Sequence, residues 1–220
     1  MPQPRDARGP SYAPGRYAPG LRVATHNVRG FGRGDDQWEG SERQRRAAPL
    51  AGADFRDKVH ALMLVWSYLR LDVVCIQETH LRTDADATQV QMRLDSVATD
   101  IKCDAYQAFW AHNTQGPGGA RAGAGVAVLV RRRLLDSGAV VVRRADVRRD
   151  AGGRLLELPL QWAGHRLQLL ACYFPNEYPQ QATYREQVLR PALRRVPEGA
   201  RGVVLGDFNH TLRSEERRVG

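Results

Sequence analysis

Six side chains that carry carboxylate, amide or phenol groups fall where apolar runs end. Asn27 follows residues 21–25, Glu78 follows 73–77, Tyr173 and Asn176 close 167–172, and Asp207 and Asn209 follow 203–205. Strand ends along one edge of a sheet bring groups that are distant in sequence into one crevice. Carboxylates and amide carbonyls are the oxygen ligands that a hard divalent cation prefers. Any one Asn, Asp or Glu at a strand end is equally well a turn former. Four such strand ends in one chain instead suggest an ion-binding crevice assembled from separate segments.

The elements that would position these groups follow from the pattern of apolar residues. Residues 21–27, with Val23 and Thr25, begin a strand, and the Gly-, Asp- and Arg-rich residues 29–53 form a long loop. Asp54 is placed to cap a helix with Val59, Leu62, Met63, Trp66 and Leu69 on one stripe, and residues 72–77 then read as a buried strand. A polar helix over 85–100 and a short strand at 106–110 come next. A Gly-rich stretch, 116–125, leads into strands at 126–130, 139–144, 154–160 and 166–173. Ala163-Gly164 marks a hairpin between the last two. Residues 182–196 read as a helix that Pro191 must kink or divide, and 202–205 as a final apolar strand. Hairpins mixed with crossover helices favour a mixed α/β layered sandwich over an all-parallel sheet.

Five segments in order carry a family resemblance: Thr-His-Asn-Val-Arg-Gly (25–30), Ile-Gln-Glu-Thr-His (76–80), Gly-Ala-Gly-Val-Ala-Val-Leu (123–129), Cys-Tyr-Phe-Pro-Asn (172–176) and Gly-Asp-Phe-Asn (206–209). Together, over about 21–212, they resemble the endonuclease/exonuclease/phosphatase superfamily. Within it, the wording of 172–176 and the Gly-rich strand entry look most like the N-terminal endonuclease domains of non-LTR, LINE-type retrotransposon polyproteins. Apurinic/apyrimidinic endonucleases are the next most similar. The resemblance implies a four-layer α/β/β/α sandwich of the deoxyribonuclease I type and Mg²⁺-dependent hydrolysis of DNA phosphodiesters, with Mn²⁺ as a possible substitute. It also implies roles for individual residues. Glu78 would be the main Mg²⁺ ligand, with Asn27 supporting it directly or through water. Asp207 would orient or deprotonate the attacking water, Asn209 and Tyr173 would hydrogen-bond the phosphoryl oxygens, and Asn176 would hold the phosphate side. His26 and His80 flank two of these groups, but a neighbour on a strand points to the opposite face. Cys75, Cys103 and His80 have no zinc-like spacing.

The family pattern normally continues to a late aspartate and a terminal Ser-Asp-His-like segment, and neither is present before Gly220. The chain therefore reads as a C-terminally incomplete domain over 21–212 with a non-matching tail at 213–220, and little activity is expected of it alone. A downstream reverse transcriptase is the partner that the resemblance implies.

Composition supports a polyanionic partner. The formal charge is +9, and of 33 Lys and Arg residues only Lys58 and Lys102 are lysines. Arginine excess also arises from genomic base composition, so charge alone leaves the partner open. Residues 1–20, with five of the twelve prolines, read as a flexible basic arm. Three widely spaced cysteines suit a reducing compartment, and no apolar run is long enough to span a bilayer, so the expected location is intracellular, or nuclear if genomic DNA is the substrate. Seven arginines within 131–149, among them Arg131, Arg133 and Arg143, form either a solvated face or a phosphate-tracking rim beside the crevice. A phosphatase of the same superfamily and an inactive nucleic-acid-binding remnant stand as alternative functions.

Overall fold

The computed structural model describes residues 20–31, 53–81, 83–112 and 124–209. The expected arm at 1–20, most of the loop at 29–53, the Gly-rich stretch up to 123 and the tail at 213–220 lie outside the described residues. The opening runs β1 (Val23–Asn27), α1 (Ala53–Tyr68) and β2 (Val73–Gln77), followed by α2 (Asp84–Asp100), β3 (Tyr106–Ala111) and β4 (Val126–Arg131). These strands make one sheet in the order β1-β2-β4-β3, with β1 parallel to β2 and the other pairs antiparallel. The second sheet contains β5 (Val140–Val142), β7 (Leu155–Trp162), β8 (His165–Tyr173) and β9 (Arg201–Asp207), with the short β6 (Arg148–Arg149) also paired to β7. There β8 and β9 are parallel.

Strand alternation assigns the layers. Along β2 and β4, Val74, Ile76, Ala127 and Leu129 face a core made with α1 and α2, where Val59, Met63, Trp66, Val90 and Leu94 are buried. Their neighbours Val73, Cys75, Val126, Val128 and Val130 face the opposite way, onto Leu156, Leu158, Leu169 and Ala171 of the second sheet. Leu155, Leu170 and Cys172 on its outer face meet Tyr184 and Ala192 from the C-terminal helices. The result is the α/β/β/α order expected of the sequence. Both faces of β2 and β4 are buried, which is why these strands read as unbroken apolar runs.

Local differences from the sequence reading have specific causes. α1 begins at Ala53, so Asp54 lies inside its first turn, and Leu69 falls beyond its end and is half exposed. α2 is fixed by a capping box in which the Thr83 hydroxyl accepts from the Asp86 N–H and the Asp86 carboxylate accepts from the Thr83 N–H. Ala163 and Gly164 both have positive φ, the type I′ geometry of a two-residue hairpin. The C-terminal helix stays continuous through Pro191. Between α4 (Tyr178–Tyr184) and α5 (Arg190–Arg194), residues Arg185–Leu189 form a π-helical turn, whose wider winding accommodates a residue that has no N–H to donate.

The arginine cluster differs more. Residues 131–133 were expected on a strand and its turn, but Arg132–Asp136 form a short helix, α3. Arg131 is 5% exposed. Its guanidinium donates twice to the Leu71 carbonyl, at 2.9 and 2.6 Å, and faces Asp72 and Asp104 at 3.8 and 3.5 Å. A group so occupied cannot track a phosphate, so Arg131 ties the β2 entry to β4 instead of lining a rim. Arg131→Ala removes two of the three side-chain donors on the Leu71 carbonyl, leaving the Tyr106 hydroxyl, and takes away the buried charge that faces Asp72, so it should cost about 2–4 kcal/mol. Arg133→Ala, which removes a largely exposed pair with Asp104, should change stability by less than about 1 kcal/mol. Urea midpoints at constant m-value measure both, and equal midpoints for the two variants would refute the structural assignment.

Candidate active site

Four strand ends meet at one edge. β1 and β2 run parallel with Asn27 beside Gln77, and β8 and β9 run parallel with Tyr173 beside Asp207. The two parallel pairs are stacked, and the Cys75 thiol of β2 donates to the Leu205 carbonyl of β9 at 3.7 Å. Side chains just beyond the carboxyl ends of all four strands therefore point into one crevice, although 180 positions separate Asn27 from Asp207 in sequence.

At its centre, the Asn27 Nδ2 group donates to Glu78 Oε1 and to Asp207 Oδ2, each at 2.9 Å. The two carboxylates belong to different sheets, yet one amide holds them within twice that distance of each other. The amide orientation is set by its other end, because Asn27 Oδ1 accepts the Arg29 N–H at 3.0 Å. Asn27 thus presents donors to the carboxylates, and direct ligation of a cation through its carbonyl oxygen would require the amide to turn over. The Tyr173 hydroxyl donates to the same Glu78 Oε1 at 2.9 Å. Burial and the adjacent Glu78 carboxylate push the Tyr173 phenol up to about 12, so it remains a protonated donor at neutral pH. Asp207 Oδ1 accepts the Asn209 N–H at 2.9 Å, closing an Asx turn.

Two of the expected phosphate contacts look different in detail. Asn209 Nδ2 donates to the Phe174 carbonyl at 2.6 Å, so its side chain clamps the β8 and β9 exits together as they stand. Asn176 is exposed in the bend that follows β8, three residues after Tyr173. His26 points away from the crevice as anticipated: its Nδ1 accepts from the Trp66 indole at 3.3 Å. Desolvation and Lys58 hold its pKa below the usual value. His80, also expected to point away, instead lies 3.9 Å from Glu78 Oε2, because the chain has left β2 and turns through positive φ at both residues. Cys75 is core, with its thiol pushed up to about 12 by burial.

The crevice is built from strained backbone. Arg29, Glu78, His80 and Asn209 all adopt positive φ, and they are four of the seven non-glycine residues that do so among the described residues. Each costs on the order of 1 kcal/mol or more, and the surrounding sheets hold them in place. Gly206 precedes Asp207 with φ +152°, where a Cβ would lie 1.8 Å from the Cys172 carbonyl oxygen. Only glycine lets β9 come close enough to β8 at this point. Gly30 plays a similar part beneath the His80 ring, 2.7 Å from where its Cβ would sit.

Sequence reasoning missed two supporting residues. The Gln181 amide, buried in α4, donates to the carbonyls of Pro175 and Asn209 at 3.0 and 3.2 Å and so fixes both exits. The Arg154 guanidinium lies 4.9 Å over the Tyr173 ring and donates to its carbonyl. Neither lies in a motif, and the only sequence signal for either was its type. The three substrate-binding arginines expected at the crevice are not there. Arg131 lies at the opposite end of β4 from Val126, the residue beside Gln77, and Arg133 follows it in α3. Arg143 follows Val142, which pairs with Leu160, far along β7 from Leu155 at the crevice end.

A carboxylate pair is thus held by one amide at the carboxyl ends of two stacked sheets, with a neutral phenol beside it. The chain belongs to the endonuclease/exonuclease/phosphatase family, whose model matches residues 24–220. Its fold is similar to that of an AP endonuclease from Archaeoglobus fulgidus, with TM-score 0.51 and 17% identity over 86% of this chain and 58% of that one. It is also similar to the AP endonuclease LMAP from Leishmania major, with TM-score 0.50 and 20% identity over 83% and 53% of the two chains. A family protein from Leptotrichia buccalis gives TM-score 0.50 and 17% identity over 86% and 67%. The chain spans 47% of the first structure it matches and between 53% and 67% of the three named above. No curated protein sequence matches it.

Family nucleases generally use divalent metals. Among the described residues, no group of three or more His, Cys, Asp or Glu is placed to hold an ion. Two carboxylates within reach of one another nevertheless fit Mg²⁺, which keeps several waters and takes one or two protein carboxylates. Asn27→Asp tests this arrangement. It replaces the shared donor with a third anionic oxygen, and in EDTA it should destabilise the chain by about 1–3 kcal/mol. Millimolar Mn²⁺ should recover most of that loss in a thermal melt. A variant as stable as the parent in EDTA would show that the amide does not hold the carboxylates together.

Proposed function

We propose that the crevice hydrolyses DNA phosphodiester bonds with Mg²⁺, Mn²⁺ substituting, as the endonuclease of a non-LTR retrotransposon that nicks its target to prime reverse transcription. The observation that carries this reading is the Asn27 amide joining Glu78 and Asp207 with the Tyr173 hydroxyl on the same Glu78 oxygen. The formal charge of +9 suits a long polyanion, and the wording of 172–176 and 123–129 supports the retrotransposon assignment. In this reading the partner in the longer polyprotein is a reverse transcriptase.

Glu78 would anchor the cation, which when bound neutralises charge on the phosphoryl oxygens and the leaving group. Asp207, oriented by Asn27 and the Asn209 N–H, positions the attacking water and accepts its proton at a carboxylate oxygen. The Tyr173 hydroxyl, protonated at working pH, exchanges its bond to Glu78 for one to a phosphoryl oxygen as charge develops there. Asn209 and Gln181 hold the loop ends that carry these groups, and Asn176 would hold the phosphate side. The histidine that the family pattern places on the scissile phosphate is missing from the matched motifs, so the 220-residue chain alone should turn over slowly.

Manganese titration followed by electron paramagnetic resonance separates the two carboxylate roles. Glu78→Gln should weaken Mn²⁺ binding by about tenfold or more, while Asp207→Asn should change it only a few-fold. Unaltered Mn²⁺ binding in Glu78→Gln would remove that residue from the metal role. Plasmid nicking by the parent chain should be barely detectable, and nicking at the rate of an intact AP endonuclease would overturn the expectation of slow turnover.

A further inference from the structure

The arginines that the crevice does not use form a site of their own. A groove of about 310 Å³ opens on the outer face of the second sheet, between the β5–β6 edge and the end of α5. Register determines what lines it. Residues paired across antiparallel strands point the same way, and every second residue shares a face. Gln161 pairs with Arg166, Pro159 with Gln168, and Glu157 with Arg148, so Arg148, Arg166, Glu157 and Gln168 all face outwards together. Arg143 closes one side of the groove and Arg195, at the C-terminal cap of α5, closes the other.

Its charge balance is uneven. The Glu157 carboxylate is 3% exposed and is already neutralised by the Arg195 guanidinium at 2.5 Å. Of the acids in the lining, that leaves exposed Asp146 to face Arg143, Arg148 and Arg166, none of which forms an ion pair with another described residue. Buried Gln168 adds an amide to the lining. Three unpaired guanidiniums around a concave wall, above a carboxylate locked in its own pair, form a receptor for phosphate oxygens. Exposed Arg194 and Arg201 continue the positive charge at the same end of the sheet, which favours an extended polyanion over a single small anion. The groove lies on the outer face of the second sheet and runs away from the crevice: Arg148 sits opposite Glu157, two residues from Leu155, while Arg166 lies seven residues before Tyr173 on β8, roughly 23 Å along the strand.

We propose that this groove binds the sugar-phosphate backbone of a nucleic-acid strand segment other than the one at the crevice, tethering the protein to nucleic acid independently of hydrolysis. The inference rests on the groove alone and holds whatever the crevice hydrolyses.

Fluorescence anisotropy with a short labelled single-stranded DNA in EDTA tests it. The Arg143→Gln/Arg148→Gln/Arg166→Gln variant leaves the Arg195–Glu157 pair intact and alters exposed side chains, so its melting temperature should match the parent's. Its affinity should fall about tenfold, and the slope of log affinity against log salt should shrink by about 2. Mn²⁺ binding at the crevice should be unchanged, which keeps this result separate from any failure of the nuclease reading. An Arg56→Gln/Arg70→Gln/Lys102→Gln variant removes the same charge from the opposite face and should retain most of the affinity. Equal losses in the two variants would reduce the effect to net charge and overturn the proposal, as would unchanged affinity and slope in the groove variant. Pyrophosphate binding that is lost in the groove variant while DNA binding persists would make it a small-anion site and would also overturn the nucleic-acid assignment.

Discussion

One amide holding two carboxylates from separate sheets is the interaction on which the site depends. Two carboxylates brought close at the mouth of a low-dielectric sandwich repel each other, and the Asn27 N–H groups at 2.9 Å offset that repulsion by donating one proton to each. The geometry requires both sheets to end at the same edge. That requirement explains why each sheet contributes one parallel strand pair, β1 with β2 and β8 with β9, within otherwise antiparallel pairing. An antiparallel partner would have sent one carboxylate to the far end of the sandwich.

Convergence alone does not aim side chains, and the last residues of each strand show how aiming is achieved. Glu78 and His80 turn into the left-handed region directly after β2, and Asn209 does so two residues after β9. Backbone bonds hold these turns. The Gly30 N–H donates to the Glu78 carbonyl, and the Phe174 N–H to the Asp207 carbonyl. The crevice therefore stores conformational strain that the apolar cores on either side support. Gly206 belongs to the same arrangement, since the chain must pass the Cys172 carbonyl at a distance that excludes any side chain.

Much of this was legible in the sequence because it depends on short-range rules. β2 and β4 announced themselves as apolar runs because both faces are buried, and Ala163-Gly164 announced a hairpin because few dipeptides accept two positive φ angles. Asn27, Glu78, Tyr173 and Asp207 were legible as strand-end polar groups, and the sheets do bring them together. Gln181 was not, because its importance comes from a tertiary contact between α4 and two loop ends that no periodicity encodes. Nor was the fate of the arginines. Seven in nineteen positions gave a charge density without a direction, and whether each faced core, solvent or groove depended on register and on where α3 begins.

Arg131 and Arg195 show why arginine density is a poor guide to ligand contact. Both carry full charge, yet each is committed to the protein itself, Arg131 to the Leu71 carbonyl and Arg195 to a buried carboxylate. A guanidinium becomes available to an outside anion only when the fold gives it no internal acceptor. Counting unpaired guanidiniums by face, instead of basic residues by sequence window, moves the centre of positive charge from the crevice edge to the outer face of the second sheet. Under the proposed function, separating that charge from the crevice has a mechanistic advantage. Strong phosphate affinity next to the carboxylates would hold ground state and transition state alike and slow product release, whereas affinity supplied at a distance raises local substrate concentration without that cost.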